Sequence, residues 1–346
     1  MRHTGLISFT IVGVLSGSQA LAQCTITTPV AALGASIGTP GAVAVDSSGT
    51  LYFTTGNCVL AMDLKSGLLT RAAGVAASGY SGDGGAASSA QFSAPGGLAT
   101  DAAGNLYIAD SGNHAVRVVT PDGNVATLAG NGAPGYSGDG GPAAMASLNG
   151  PQGLAADGYG NLYIADTNNN VVRRVSSSGL ITTWAGTGTA GYDFDGFLAR
   201  EATLNTPVGL ATASGNLYIA DSANNRVRLV TAARLITTLA GDGVAGYSGD
   251  DGVGGQDEDA ELNTPTFVAS DSLGLNIFIS DSANDCIRQV LPDTIITTAA
   301  GGTKGSIGKP AGIALDGAGN LYIADTTNSR ILELPARGGI TTVAGK

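Results

Sequence analysis

The sequence predicts an all-β fold, a six-bladed β-propeller of four-stranded antiparallel blades, on three observations. First, LYIAD ends at Asp110, Asp166, Asp221 and Asp325, IFISD at Asp281 and LYFTT at Thr55, six related copies spaced 44 to 60 residues apart. Second, each copy sits in a unit of four short apolar pieces separated by turn signals. In the third unit these are GLAAD (153–157), LYIAD (162–166), VVRRV (171–175) and ITTWAG (181–186). Third, 54 glycines and only 12% charged residues suit short strands and tight turns, not long helices or a disordered polyelectrolyte.

The elements follow in chain order. Arg2, the apolar run LISFTIVGVL (6–15) and Ala20-Leu21-Ala22 form the pattern of a cleavable export signal, expected over 1–22. Export implies an oxidising compartment, so Cys24 and Cys58 are the candidate disulfide and Cys286 the spare thiol. The propeller is expected over 23–346, with blades near 40–74, 95–130, 151–186, 207–241, 265–301 and 310–345. Both faces of LYIAD are apolar, which a sheet covered on one side would not need and blades stacked in a ring would. An open solenoid is the structural alternative, and closure leaves fewer exposed edges. Ring closure stays open at this point. TITT (25–28) and ITTVAG (340–345) both look like a fourth strand, so one of them must be an additional or exchanged edge.

The recurring PxGLAxD, GNLYIAD, NNxVRxV and ITTxAG resemble NHL repeats over essentially the whole chain after the signal. That resemblance implies the propeller fold. It leaves function open, because family members include sensor ectodomains, interaction modules, RNA binders and a few lyases.

Strand direction puts the LYIAD aspartates, the Asn-rich turns after them and the long blade-to-blade loops at one rim. The predicted binding face is Asp110, Asn113, Asp166, Asn169, Asp221, Asn224, Asp281, Asn284, Asp325 and Asn328. Long loops join the first five blades and short ones the rest, so this face is expected to be walled over blades 1 to 5 and open near blade 6. The same aspartates also suit a structural role, capping the turns that follow them. An arginine seven residues on (Arg117, Arg173, Arg228, Arg288, with Leu332 breaking the series) suits a repeated pair.

The loops themselves carry GYSGDGG at 79–85 and 135–141, GYDFDGF at 191–197 and GYSGDDG at 246–252. Their Asp83, Asp139, Asp195 and Asp250 are the candidate metal ligands, with calcium as the one cofactor to consider. One carboxylate per loop is a poor calcium site, and neither an EF-hand nor a P-loop pattern is present. The loops therefore read first as joints, each pinned by an apolar residue three before a proline: Phe92, Leu148, Leu204 and Leu262.

No catalytic group is assigned; His114 is the alternative. The chain has two histidines, the other being His3, which excludes the three-histidine zinc site of peptidyl-hydroxyglycine lyase-like propellers. His114 resembles the catalytic histidine of streptogramin lyase-like propellers, yet it occupies a turn position held elsewhere by Asn170, Asn225 and Asp285. The net charge of -11 without a basic cluster argues against nucleic acid. The expectation is an exported, monomeric, non-catalytic scaffold binding a protein, peptide or glycan, without membrane insertion. A lyase or hydrolase using His114 and rim carboxylates is the second reading.

Overall fold

A computed structural model describes residues 24, 26, 28–193, 195–250, 260–292, 295–302 and 306–346. The signal expected over 1–22 lies outside them. Strands β2 (Pro40–Val45), β3 (Thr50–Thr55), β4 (Cys58–Asp63) and β5 (Leu68–Ala73) form blade 1, with β1 (Val30–Ala31) added outside β5. Blade 2 is β6 (Leu98–Thr100) to β9 (Val125–Ala129), and blade 3 is β10 (Pro151–Ala156) to β13 (Ile181–Ala185). Blade 4 runs from β14 (Pro207–Ala213) to β17 (Ile236–Ala240) and blade 5 from β18 (Pro265–Ser270) to β21 (Ile296–Gly301). Blade 6 runs from β22 (Pro310–Leu315) to β25 (Thr341–Gly345). Every blade is a sequential antiparallel meander. No helix among the described residues is long and apolar enough to cross a membrane.

Closure needs no exchanged strand. β25 completes blade 6, and the segment near Val30 is the additional edge of blade 1. The two ends meet where Gly34 donates to the Gly345 carbonyl at 2.7 Å and Gly345 donates to that of Ala32 at 3.1 Å. Cys24 and Cys58 are disulfide-bonded, their Cα atoms 5.9 Å apart.

The core lies between blades. One cluster joins Leu154, Ile164 and Val175 of blade 3 to Ala109 and Val116 of blade 2, and equivalent clusters recur around the ring. The glycine of PxGLA has a packing reason. A Cβ on Gly153 would sit 1.9 Å from the Val208 carbonyl oxygen, and one on Gly97 would be 2.2 Å from that of Gln152. Innermost strands thus approach each other where a side chain would not fit. The partly exposed second positions of these strands are Gly41, Gly96, Gln152, Val208, Thr266 and Ala311, none of them titratable.

Candidate functional site

The predicted face must first be rebuilt from its residues. Asp110, Asp166, Asp221, Asp281 and Asp325 are all fully buried, so they lie beneath the surface and do not offer carboxylates to a ligand. This corrects the expectation for those five positions. One oxygen of each accepts a backbone N–H from the segment entering its blade, for example Asn149 to Asp166 at 2.7 Å. The other accepts from the asparagine three residues on: Asn113, Asn169, Asn224, Asn284 or Asn328, at 2.7–3.0 Å. Four of these asparagines also donate to the first glycine of the long loop: Asn113 to Gly79, Asn169 to Gly135, Asn224 to Gly191 and Asn284 to Gly246, each at 2.7 Å. The asparagine amides are therefore half-buried clasps.

The arginines complete the knot. Arg117, Arg173, Arg228 and Arg288 are the largest fully buried side chains. Each lies between its blade aspartate (Arg173 to Asp166, 3.5 Å) and the loop aspartate (Arg173 to Asp139, 2.7 Å). Asp83, Asp195 and Asp250 pair likewise with Arg117, Arg228 and Arg288. The loop tyrosine covers the guanidinium, with Tyr80, Tyr136, Tyr192 and Tyr247 centred 4.8–5.1 Å from it. A guanidinium thus occupies the place the cation reading gave to calcium. Among the described residues no three His, Cys, Asp or Glu side chains converge on one point. Blades 1 and 6 are not preceded by a GYSGDGG loop, and there Leu60 and Leu332 replace the arginine. In blade 6 Asp325 takes Arg330 instead, at 2.7 Å.

Among the described residues the first three long loops run as wedges between neighbouring blades and do not wall the face, while 251–259 of the fourth lie outside that set. In the second, the Ala143 carbonyl accepts from Gly130 of blade 2 at 3.0 Å, and the Ala143 N–H donates to Gly179 of blade 3 at 2.9 Å. Phe92, Leu148, Leu204 and Leu262 are fully buried under them.

His114 also belongs to a repeated joint. Its Nδ1 accepts the Gly150 N–H at 3.0 Å, linking blade 2 to blade 3. Asn57, Asn170, Asn225 and Asp285 make the same link to Ala94, Thr206, Thr264 and Lys309, at 2.7–3.1 Å. The donating N–H always belongs to the residue before the first proline of the next blade. The neighbouring hydroxyl adds a second latch, as Thr167 donates to the Pro207 carbonyl at 2.7 Å and Thr326 to that of Pro40 at 3.0 Å.

Burial sets the electrostatics of the two ends apart. It pushes Asp166 and Asp221 up to about 6 and raises Asp110 and Asp281, against the pull of their amide and guanidinium donors. At the opposite face Asp46, Asp101, Asp271 and Asp316 close the first turn of their blades. Burial opposes ionisation there too, but hydrogen bonds from Asn105, Tyr107 and two backbone N–H groups outweigh it at Asp101, as their counterparts do at the other three. The first group holds protons more tightly when folded, so its contribution to stability falls as pH rises from 3.8 through about 6. The second holds them less tightly, so its contribution is lost as pH falls below 3.8. The thermal midpoint should therefore peak near pH 4, where the second group has ionised, and decline toward about pH 6 as the first loses its contribution. A midpoint that rises steadily from pH 5 to 8 would contradict the assignment.

Open clefts lie on that opposite, first-turn face. One of about 500 Å³ stands apart because its walls break the repeat. Blade 4 has no aspartate in its first turn and crosses it with Ser214 and Gly215, both at positive φ (50° and 81°), a tight hairpin. The longer blade-5 turn, DSLGLN (271–276), leans over the gap, and the Ser214 hydroxyl donates to the Leu273 carbonyl at 3.1 Å. Blade 3 supplies Tyr159, 78% exposed, and Tyr163 on the floor. Asp157, Thr212 and Asn216 give the cleft its polar groups. Asp157 is engaged with Asn161 at 2.8 Å and with the Tyr163 hydroxyl at 3.4 Å. Tyr163 meets Trp184 edge to face at 5.5 Å, and the guanidinium carbons of Arg174 and Arg234 lie over that indole at 4.5 and 4.3 Å. None of Tyr159, Arg174, Trp184 or Arg234 was singled out by motif. The signal available for them is departure from the repeat.

Comparison with known proteins agrees with this architecture. The NHL repeat model matches residues 92–125 and 308–334. SUPPRESSOR OF QUENCHING 1 of Arabidopsis thaliana is 29% identical over 267 residues, covering 70% of this chain and 25% of that protein. Teneurin-4 of Mus musculus is 32% identical over 234 residues, 60% of this chain and 8% of its own. The chain thus spans a quarter or less of these relatives. Among solved structures, a streptogramin B lyase superposes with a TM-score of 0.55 at 13% identity, over 92% of this chain and 87% of that one. An auxiliary nutrient binding protein of Bacteroides thetaiotaomicron gives 0.60 at 15%, over 88% and 69%. At such identities these two show the fold alone. The chain is thus a six-bladed β-propeller of four-stranded blades in which two segments match the NHL repeat.

Proposed function

We propose that this propeller is a non-catalytic, exported binding scaffold whose ligand, a peptide or glycan, lies in the cleft between blades 3 and 4. One observation carries the reading. The polar groups that recur around the ring are spent on closing turns or holding blades together, whereas the exposed Tyr159 ring occurs once, where the other blades have Ser48, Ala103, Ser214, Leu273 and Ala318. A binding site needs singular chemistry on an accessible surface. The buried Cys24–Cys58 disulfide supports an oxidising compartment. The neighbouring structures include both nutrient-binding proteins and lyases, so the fold favours neither class. His114 supports the scaffold more than the enzyme, because its ring nitrogen is engaged in the same joint that asparagines serve elsewhere.

The test is an array of glycans and peptides, followed by titration of the ligands found. Tyr159→Ala should weaken binding at least about tenfold, the order of one lost aromatic contact, and leave the thermal midpoint within about 2 °C of wild type, as a surface change does. His114→Ala should leave affinity unchanged. Turnover of any arrayed compound that is lost in a folded His114→Ala variant would replace this reading with the lyase or hydrolase one.

A further inference from the structure

The repeat makes departures from it readable, and several coincide in space. The position of Trp184 is held by Ala72, Leu128, Leu239, Ala299 and Val343 in the other blades. That of Arg174 is held by Ala61, Val118, Leu229, Gln289 and Glu333. Arg234 stands where blades 1, 2 and 3 have Gly67, Gly123 and Gly179, all at positive φ. Arg234 keeps that left-handed backbone, φ 65°, which costs a side-chain-bearing residue about 1 kcal/mol or more. Strain of this kind persists where something else retains the residue. Tyr159 likewise replaces the small Ser48, Ala103 and Ala318.

Charge identifies what such a cluster would receive. Two guanidiniums gathered over one indole repel each other, and neither makes an ion pair among the described residues. The Nε of Arg174 is buried without a hydrogen-bond partner. A planar guanidinium matches a carboxylate with two parallel hydrogen bonds. The chain as a whole carries -11, so a polyanion would be repelled at long range far more strongly than a single carboxylate. Tyr163 joins this cluster to the cleft, meeting Trp184 at 5.5 Å and lining the same cleft as the exposed Tyr159 ring, which suits a sugar's apolar face, and the Ser214 and Asn216 polar groups, which suit its hydroxyls.

On the scaffold reading above, we propose that the groove between blades 3 and 4 binds a sugar chain bearing one carboxylate, a uronate, with Arg174 and Arg234 on the carboxylate and Tyr159 against a neighbouring ring. Trp184 is the single tryptophan of the chain, so its fluorescence reports on this site alone.

The probes are aldotetraouronic acid (xylotriose carrying one glucuronate), xylotriose itself and a blocked Gly-Glu-Gly peptide. The acidic sugar should change Trp184 emission saturably and bind at least about tenfold more tightly than xylotriose, the order of one charge-assisted bidentate pair. Arg234→Gly, which restores the residue the repeat uses, should lose most of that preference while melting at or above the wild-type temperature. Arg174→Val should lose it as well. Equal affinity for the acidic and neutral sugars overturns the uronate assignment and leaves the scaffold standing. Tighter binding of the peptide than of either sugar overturns the sugar. Silent tryptophan emission together with an array ligand bound elsewhere on the ring overturns both this proposal and the placement of the site.

Discussion

Arg173→Leu is expected to destabilise the chain by about 3–5 kcal/mol, the cost of leaving a buried charge without its partner, read as a lowered urea midpoint. Arg173 is fully buried between Asp166 and Asp139 and also donates to the Ser137 carbonyl at 3.0 Å. Removing it strands the wholly buried Asp166 with only its amide donors and frees the second wedge from blade 3. Leucine is a fair test because blades 1 and 6 carry Leu60 and Leu332 there, so shape alone is tolerated. Asp139→Ala should cost less, about 1 kcal/mol, since that carboxylate is half exposed and screened. The double variant Arg173→Leu, Asp166→Thr imitates blade 1, where Thr55 faces Leu60's strand. It should recover part of the loss, because neither charge is then buried alone. A single-variant cost under about 1 kcal/mol, the scale of an exposed pair, would mean that the knots are incidental.

Removing the Cys24–Cys58 bridge by a double serine substitution should cost about 3–4 kcal/mol, from loop closure over the 34-residue separation. The bridge ties the segment before β1 to β4, and Arg71 holds it a second time by donating to the Cys24 carbonyl at 2.6 Å. That segment supplies the fifth strand of blade 1 and the Ala32–Gly345 contact that closes the ring. Reduction should therefore loosen the junction of blades 6 and 1 first, visible as faster amide exchange at Ala32 to Gly34 and at Gly345. Cys286 should not interfere by exchange, because burial pushes its thiol up to about 12. An unchanged urea midpoint would show that this segment lies outside the cooperative unit.

The fold is legible in the sequence because a propeller repeats its demands. Each blade needs the same four strands, the same turn residues and the same glycine where inner strands touch. The pairing of the LYIAD aspartate with the arginine seven residues on is legible too, since adjacent strands place them side by side. Its second partner is not, because Asp139 reaches Arg173 across 34 residues and from the loop that precedes the blade. The burial of the five aspartates was missed for a related reason. Strand direction places Asp166 at one rim, but only the packed neighbours and wedge show that it is covered. The groove escapes motif reading altogether. Repeats direct attention to what recurs, and Tyr159, Arg174, Trp184 and Arg234 are informative because they do not recur.

The central claim is that ligand is held on the first-turn face between blades 3 and 4 and not on the Asp- and Asn-rich face. Amide hydrogen exchange with and without saturating aldotetraouronic acid tests it most directly. Added protection is expected in the turns at 157–161, 212–216 and 271–276 and none at 111–114, 167–170 or 222–225. Protection confined to those last three segments would contradict it and return the binding site to the opposite face.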